Sequence, residues 1–169
     1  DPKETTNLAG KSYVPTQQQF QAAVLRSRRI DPLAPRPYDD GLIPAVTEID
    51  AQSGLIRTNY PGDFNWTPQF DQRKATEQTV VDELVAIPGA QQFVGFLRVP
   101  KSGVYHFALT ANGKAVVRLH NALLIDADSH YTAGSNAHSG AIALEAGLHP
   151  LRINYLASPK TPQLSLEWQ

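Results

Sequence analysis

The alternation of apolar and polar positions is clearest between Phe93 and Asp126, and the rest of the chain reads outward from that stretch. Tyr105, Phe107 and Leu109 alternate with Val104, His106, Ala108 and Thr110, the period of a strand with one apolar and one mixed face. Turn signals divide the stretch into four predicted short strands. Pro100 to Gly103 separates the first two, and His120 to Ala122 marks the last break. Between them Asn112-Gly113 predicts a two-residue hairpin turn, because both residues tolerate positive φ. No helix of useful length fits this spacing.

The same pattern continues on both sides. Ala141 to Leu144 is followed by a turn at Gly147 into Leu151, Ile153 and Tyr155. Pro159 to Pro162 turns the chain again into Leu164, Leu166 and Trp168, a period of two. Upstream, Gly41–Asp50 and Gly54–Tyr60 carry alternating β-formers, whereas Pro61-Gly62 and Asn65-Trp66-Thr67-Pro68 mark loops. Phe70 to Gln78 is polar and ambiguous, and Thr79 to Ile87 fits a strand or a short helix. Many short strands punctuated by Gly and Pro predict an antiparallel β-sandwich.

The first residues differ in kind. Pro15 to Arg29 predicts one amphipathic α-helix, with Thr16 as cap, Gln19 three residues on, and Phe20, Ala23 and Val24 on one face. Arg26, Arg28 and Arg29 lie at its C-terminal end, where cations suit the helix dipole. Ile30 to Tyr38, with Pro32, Pro35 and Pro37, predicts an extended linker. The expected organisation is residues 1–38 as a tail with helix and linker, and residues 39–169 as the sandwich.

Composition narrows the partners. At 169 residues and 41% hydrophobic content the chain can build one core, and its net charge of −1 offers no footprint for nucleic acid or an anionic membrane. No apolar run approaches the roughly 20 residues of a membrane span. The absence of cysteine excludes disulfides. A start at Asp1 and the absence of methionine read as a piece of a longer protein.

Two stretches resemble known families. Asp1-Pro-Lys-Glu-Thr-Thr-Asn-Leu resembles the segment near the C-terminal end of sulfatase catalytic domains, which implies a catalytic domain upstream. The sulfatase nucleophile motif, Cys or Ser followed by x-Pro-Ser-Arg, does not occur in the chain, so no catalytic residue is assigned. The run Gly95-x-Leu97-x-Val99-Pro100-x-Ser102-Gly103-x-Tyr105-x-Phe107-x-Leu109 resembles the PA14 domain family. Leu119–Asp126, Glu145–Tyr155 and Leu164-x-Leu166-x-Trp168 are similar to its later strands. This resemblance spans roughly residues 40–169 and implies a β-sandwich appended to secreted glycosidases, sulfatases, adhesins or toxins, commonly to bind carbohydrate. In sugar-binding members the turn after the Tyr-x-Phe strand carries paired aspartates that hold calcium. Here it reads Ala111-Asn112-Gly113, and one amide carbonyl replaces two carboxylates, so no cofactor is expected and calcium is disfavoured.

The candidate carbohydrate-binding residues are Asn112, Asp126, Asp128, His130, Tyr131 and Trp66. Exposed aromatic rings such as Trp66, Tyr60 and Tyr131 can stack on sugar faces, and loops are where binding residues collect. The competing reading packs Trp66 on the sandwich edge. Asp126, Asp128, His130 and His138 fit a metal loosely, against a solvated loop in which Asp126 caps a turn. His106, His120 and His149 are read as structural. The expectation is a non-catalytic, carbohydrate-binding accessory module of a periplasmic or extracellular sulfatase-like enzyme of bacterial type. Its partners would be a polysaccharide and the catalytic domain of its own chain, with no nucleic acid and no membrane. The alternative is a structural module that packs on that domain without a ligand of its own.

Overall fold

The computed structural model describes residues 41–47, 50–128 and 137–169. The predicted helix at Pro15–Arg29, the linker, and the candidate residues His130 and Tyr131 lie outside the described residues. Among the described residues there are eight strands: β1 Leu55–Tyr60, β2 Glu77–Val81, β3 Ala90–Val99, β4 Gly103–Leu119, β5 Ala122–Asp126, β6 Ala137–Leu144, β7 Gly147–Ala157 and β8 Gln163–Trp168. Among the described residues there is no α-helix, only a 3₁₀ turn at Phe70–Gln72.

Every pairing between these strands is antiparallel. They form one curled sheet in the order β2-β1-β3-β7-β4-β5, with β6 and β8 paired to β4. The expected sandwich is therefore reached by curling, and β4 does it. Its first half, Gly103 to Asn112, pairs with β6 and β8; from Gly113 onward it pairs with β7 and β5.

The hairpin expected at Asn112-Gly113 is thus corrected. Gly113 does take positive φ (125°), but within a continuous strand. A Cβ there would lie 2.2 Å from the Leu156 carbonyl oxygen and 2.8 Å from the Ser158 nitrogen. Only glycine lets β4 bend this close to β7. The bend does not flip the faces. Phe107, Leu109 and Ala111 before it, and Ala115, Val117 and Leu119 after it, are all buried. Alternation alone could not distinguish a turn from a bend, because the odd residues stay inward across both.

The inner faces meet in one core. Phe93, Phe107, Leu109, Val117, Leu119, Ile142, Leu144, Ile153 and Tyr155 lie at its centre. Each large apolar side chain buried there contributes about 1.5–3 kcal/mol relative to exposure. In β7 the alternation is complete, with His149, Leu151, Ile153, Tyr155 and Ala157 all buried. Leu164, Leu166 and Trp168 fall in β8, with Leu164 buried and Trp168 against Tyr105 and Phe107. Gly41–Asp50 forms no regular strand among its described residues. It contributes single bridges, Ile43 to Leu144 and Val46 to Leu148.

The buried polar side chains of Tyr155, Gln91 and His149 are answered from within. The Tyr155 hydroxyl donates to the Asn112 carbonyl oxygen at 2.6 Å and accepts the Gln163 N–H at 3.1 Å. It ties β7 to both β4 and β8. Gln91 is fully buried and pairs its side-chain amide with the peptide N–H and carbonyl of Ile87. His149 Nε2 must donate to the Glu145 carbonyl (2.8 Å), which leaves Nδ1 to accept from His120 Nε2 at 2.9 Å. The structural reading of these two histidines follows from that geometry, although His120 sits in the β4–β5 turn with φ 50°.

Candidate aromatic groove

Pro61 ends β1, because proline has no N–H to continue the ladder. The chain then folds back over the outside of the sheet. Tyr60, Ala90, Leu156 and Lys114 form one cross-strand row on that outer side. The loop after Tyr60 lies along this row. At one end Phe70 packs on Tyr60, with ring centroids 4.4 Å apart at 45°. Phe70 and Ala90 are buried here, apart from the main core cluster. Tyr60 is therefore a packing residue. Burial raises its pKa, and the Asp71 carboxylate adds to the shift.

At the other end the loop is pinned on both sides of Trp66. The Lys114 ammonium donates to the Asn65 carbonyl oxygen. The Asp128 carboxylate accepts the Thr67 N–H at 2.8 Å through Oδ2. The two pins are joined, since Lys114 Nζ lies 3.7 Å from Asp128 Oδ1. Asp128 is itself placed by β4 and β5. The Ala127 N–H donates to the Ala115 carbonyl at 2.8 Å, and the Asp128 N–H donates to Asp126 Oδ1 at 3.1 Å. With the peptide groups before and after it fixed to the sheet, Trp66 projects outward and is 66% exposed. The edge-packing alternative does not describe it.

Beside the ring lies an open groove of about 470 Å³, lined by Asp63 to Gln69 with Gln72 and Arg73. The Arg73 guanidinium lies 5.6 Å from the Phe64 ring centre. The Thr67 hydroxyl is shielded from solvent and has no hydrogen-bond partner in the fold. An indole face, a guanidinium, a carboxylate and several amides around an open groove offer apolar contact plus donors and acceptors. That combination suits a hydroxyl-rich ligand with apolar ring faces, such as a sugar.

The described candidates take different places. Asn112 turns its side-chain nitrogen to the carbonyl (2.8 Å) and hydroxyl of Thr161, while its own carbonyl serves Tyr155 and Ser158. Asp126 caps the turn that carries Asp128, and Asp128 clamps the Trp66 loop. Trp66 alone among them presents its side chain to the groove. Lys114, Thr67 and Arg73 were not among the candidates. Lys114 has no local signal, because its partners lie 49 residues upstream and, at Asp128, past the next strand.

The residues here do not fit a calcium site of the paired-aspartate kind. Ala111 and Gly113 have no side-chain oxygen, and both Asp128 oxygens face cationic or N–H partners. Among the described residues no three His, Cys, Asp or Glu side chains gather into a metal-binding group. No helix of the described residues is long and apolar enough to cross a membrane.

Comparison with known proteins places this geometry in context. No curated protein sequence matches the chain. Among solved structures, β-glucosidase from Kluyveromyces marxianus is similar at TM-score 0.57 and 20% identity, over 79% of this chain and 18% of that one. An anti-sigma factor domain-containing protein from Clostridium clariflavum is similar at TM-score 0.53 and 20% identity, over 70% of this chain and 42% of that one. The A domain of epithelial adhesin 6 from Candida glabrata, solved with Galβ1-3GlcNAc, gives TM-score 0.54 at 11% identity, over 73% and 82%. The chain thus spans only a small part of the glucosidase and under half of the anti-sigma protein. These likenesses concern the fold. The PA14 domain family matches residues 52–169, most of the chain and all eight strands, and the chain belongs to that family.

Proposed function

We propose that this chain is a non-catalytic carbohydrate-binding module that engages its ligand at the Trp66 groove. The observation that carries the reading is a tryptophan held outward, 66% exposed, by anchored peptide groups on both sides of it. The exposed indole offers a face for stacking, and Asp63, Gln69, Gln72 and Arg73 beside it supply polar partners. Sugar complexes of similarly folded proteins, the adhesin with Galβ1-3GlcNAc and the glucosidase with glucose, support the ligand class.

The proposal takes residues 39–169 as the module and residues 1–38 as the tail of a sulfatase-like catalytic domain, on the resemblance of Asp1–Leu8. It places the parent enzyme in the periplasm or outside the cell, where its polysaccharide would be met. A second reading, a module that packs on the parent domain, is favoured by the apolar row Val80–Ile56–Val94 on β2, β1 and β3. Val80 is 66% and Ile56 41% exposed there.

The test is a titration of the chain with a panel of neutral and sulfated polysaccharides, alongside Trp66→Ala. Binding that weakens roughly tenfold or more in the variant, with an unchanged melting midpoint, supports the groove. Wild-type binding that the variant leaves untouched places the site elsewhere. Failure of the panel as a whole favours the packing reading.

A further inference from the structure

The groove's positioning machinery contains a cation of its own. Lys114 lies one residue past the bend at Gly113, on the outer side of β4, where its side chain is only 28% exposed. Its ammonium meets the Asn65 carbonyl oxygen and the Asp128 carboxylate, whose own side chain is 15% exposed. The same carboxylate accepts the Thr67 N–H, so one Lys–Asp pair holds the peptide groups before and after Trp66. A divalent cation among these oxygens would have to displace an ammonium already bound to them. Among the described residues no three His, Cys, Asp or Glu side chains gather to hold it, and a hard cation takes six or more oxygens. An ammonium supplies three donors and a single charge, which suits one carboxylate and one carbonyl.

We propose that Lys114 is the built-in cation of this site: with Asp128 it positions the Trp66 loop, and the groove works without a divalent metal. Lys114 and Asp128 are positioning residues, since both are consumed by the loop and neither lines the groove. The proposal rests on carbohydrate binding at the groove only for its affinity consequence. The positioning itself is a property of the free protein.

Two kinds of measurement separate these. In the free protein, hydrogen exchange at the Thr67 amide reads the Asp128 bond, and fluorescence of Trp66 in a Trp168→Phe background reads the ring's setting. Lys114→Met and Asp128→Asn are each expected to speed Thr67 exchange roughly tenfold or more and to change Trp66 quenching by iodide. Lys114→Arg, which keeps a cationic donor, is expected to restore most of the protection. Unchanged exchange and quenching in both Lys114→Met and Asp128→Asn would overturn the proposal, whatever the protein binds. With a polysaccharide identified by the panel, wild-type affinity is expected to be the same in EDTA and in millimolar Ca²⁺, and Lys114→Met is expected to weaken it roughly tenfold. Loss of wild-type binding in EDTA would overturn the metal-free part. If no polysaccharide binds while the exchange effects are present, the binding reading fails and the clamp stands.

Discussion

The core and the groove treat polar atoms in opposite ways. In the core, Tyr155, Gln91 and His149 are buried and each polar atom finds a partner within the fold. At the groove, the fold fixes the peptide groups around Trp66 but leaves its ring in water, beside the polar side chains of Asp63, Gln69, Gln72 and Arg73. A buried polar network that is fully satisfied specifies structure, whereas leftover polar and aromatic groups in an open groove point to a ligand. The same residue types therefore carry different meanings in the two regions. Asn112 and Asp126 were plausible ligand contacts by type, yet the side chains serve Thr161 and the Asp128 turn.

The sharpest way to break the contrast is at the hinge between the regions. Gly113→Ala adds a Cβ 2.2 Å from the Leu156 carbonyl at a φ that L-residues avoid. Displacing backbone of β7 and accepting that φ together should cost about 3 kcal/mol or more. Both the core and the Lys114 clamp depend on the path of β4, so denaturant unfolding should show the loss and binding should fall with it. A variant as stable as wild type would mean that β4 does not need its bend.

Tyr155→Phe sharpens the contrast by touching the core alone. It keeps the ring and removes the hydroxyl, leaving the Gln163 N–H without its partner. The expected loss is about 1–3 kcal/mol in urea unfolding, with polysaccharide affinity at the Trp66 groove unchanged under conditions where the protein stays folded. Trp66→Ala should behave in the reverse manner. If the two variants affected stability and affinity alike, the division between structural and ligand-facing groups would be wrong.

How much of this was legible in the sequence follows from the range of each interaction. The strands from Gly95 to Leu119 and Leu164 to Trp168 announce themselves, because a period of two is a local property, even though burial along the inward face fades to partial at Leu97, Tyr105 and Leu166. Gly113 was legible as a positive-φ position but not as a bend, since turn and bend place the same demand on one residue. The Trp66 loop was legible as a loop. Its fixation was not, because it depends on Lys114 and Asp128, brought up by pairing in the sheet. Ala90 is likewise buried outside the main core cluster, opposite Tyr60, on which Phe70 packs.

The smallest expected effect lies in the His120–His149 pair, and it tests whether the fold opposes protonation of His120. Burial lowers the His120 pKa from 6.5, and the neighbouring His149 lowers it further. In the unfolded chain the same imidazole takes up a proton as pH falls through about 6.5. Below that pH the unfolded state binds more protons than the folded one, so the pair costs stability on acidification and costs nothing above it. The melting midpoint should therefore decline between pH 7.5 and 5, and levels off for this group once pH passes below its folded pKa. His120→Asn keeps a side chain that tolerates the positive φ of 50° at that turn and removes the titration. Its midpoint should decline less over the same interval, and the difference between the two pH profiles isolates His120 from the other histidines. Parallel profiles would show that the His120 proton is not excluded by the fold, and the pair would then be a weaker lock than the Tyr155 hydroxyl.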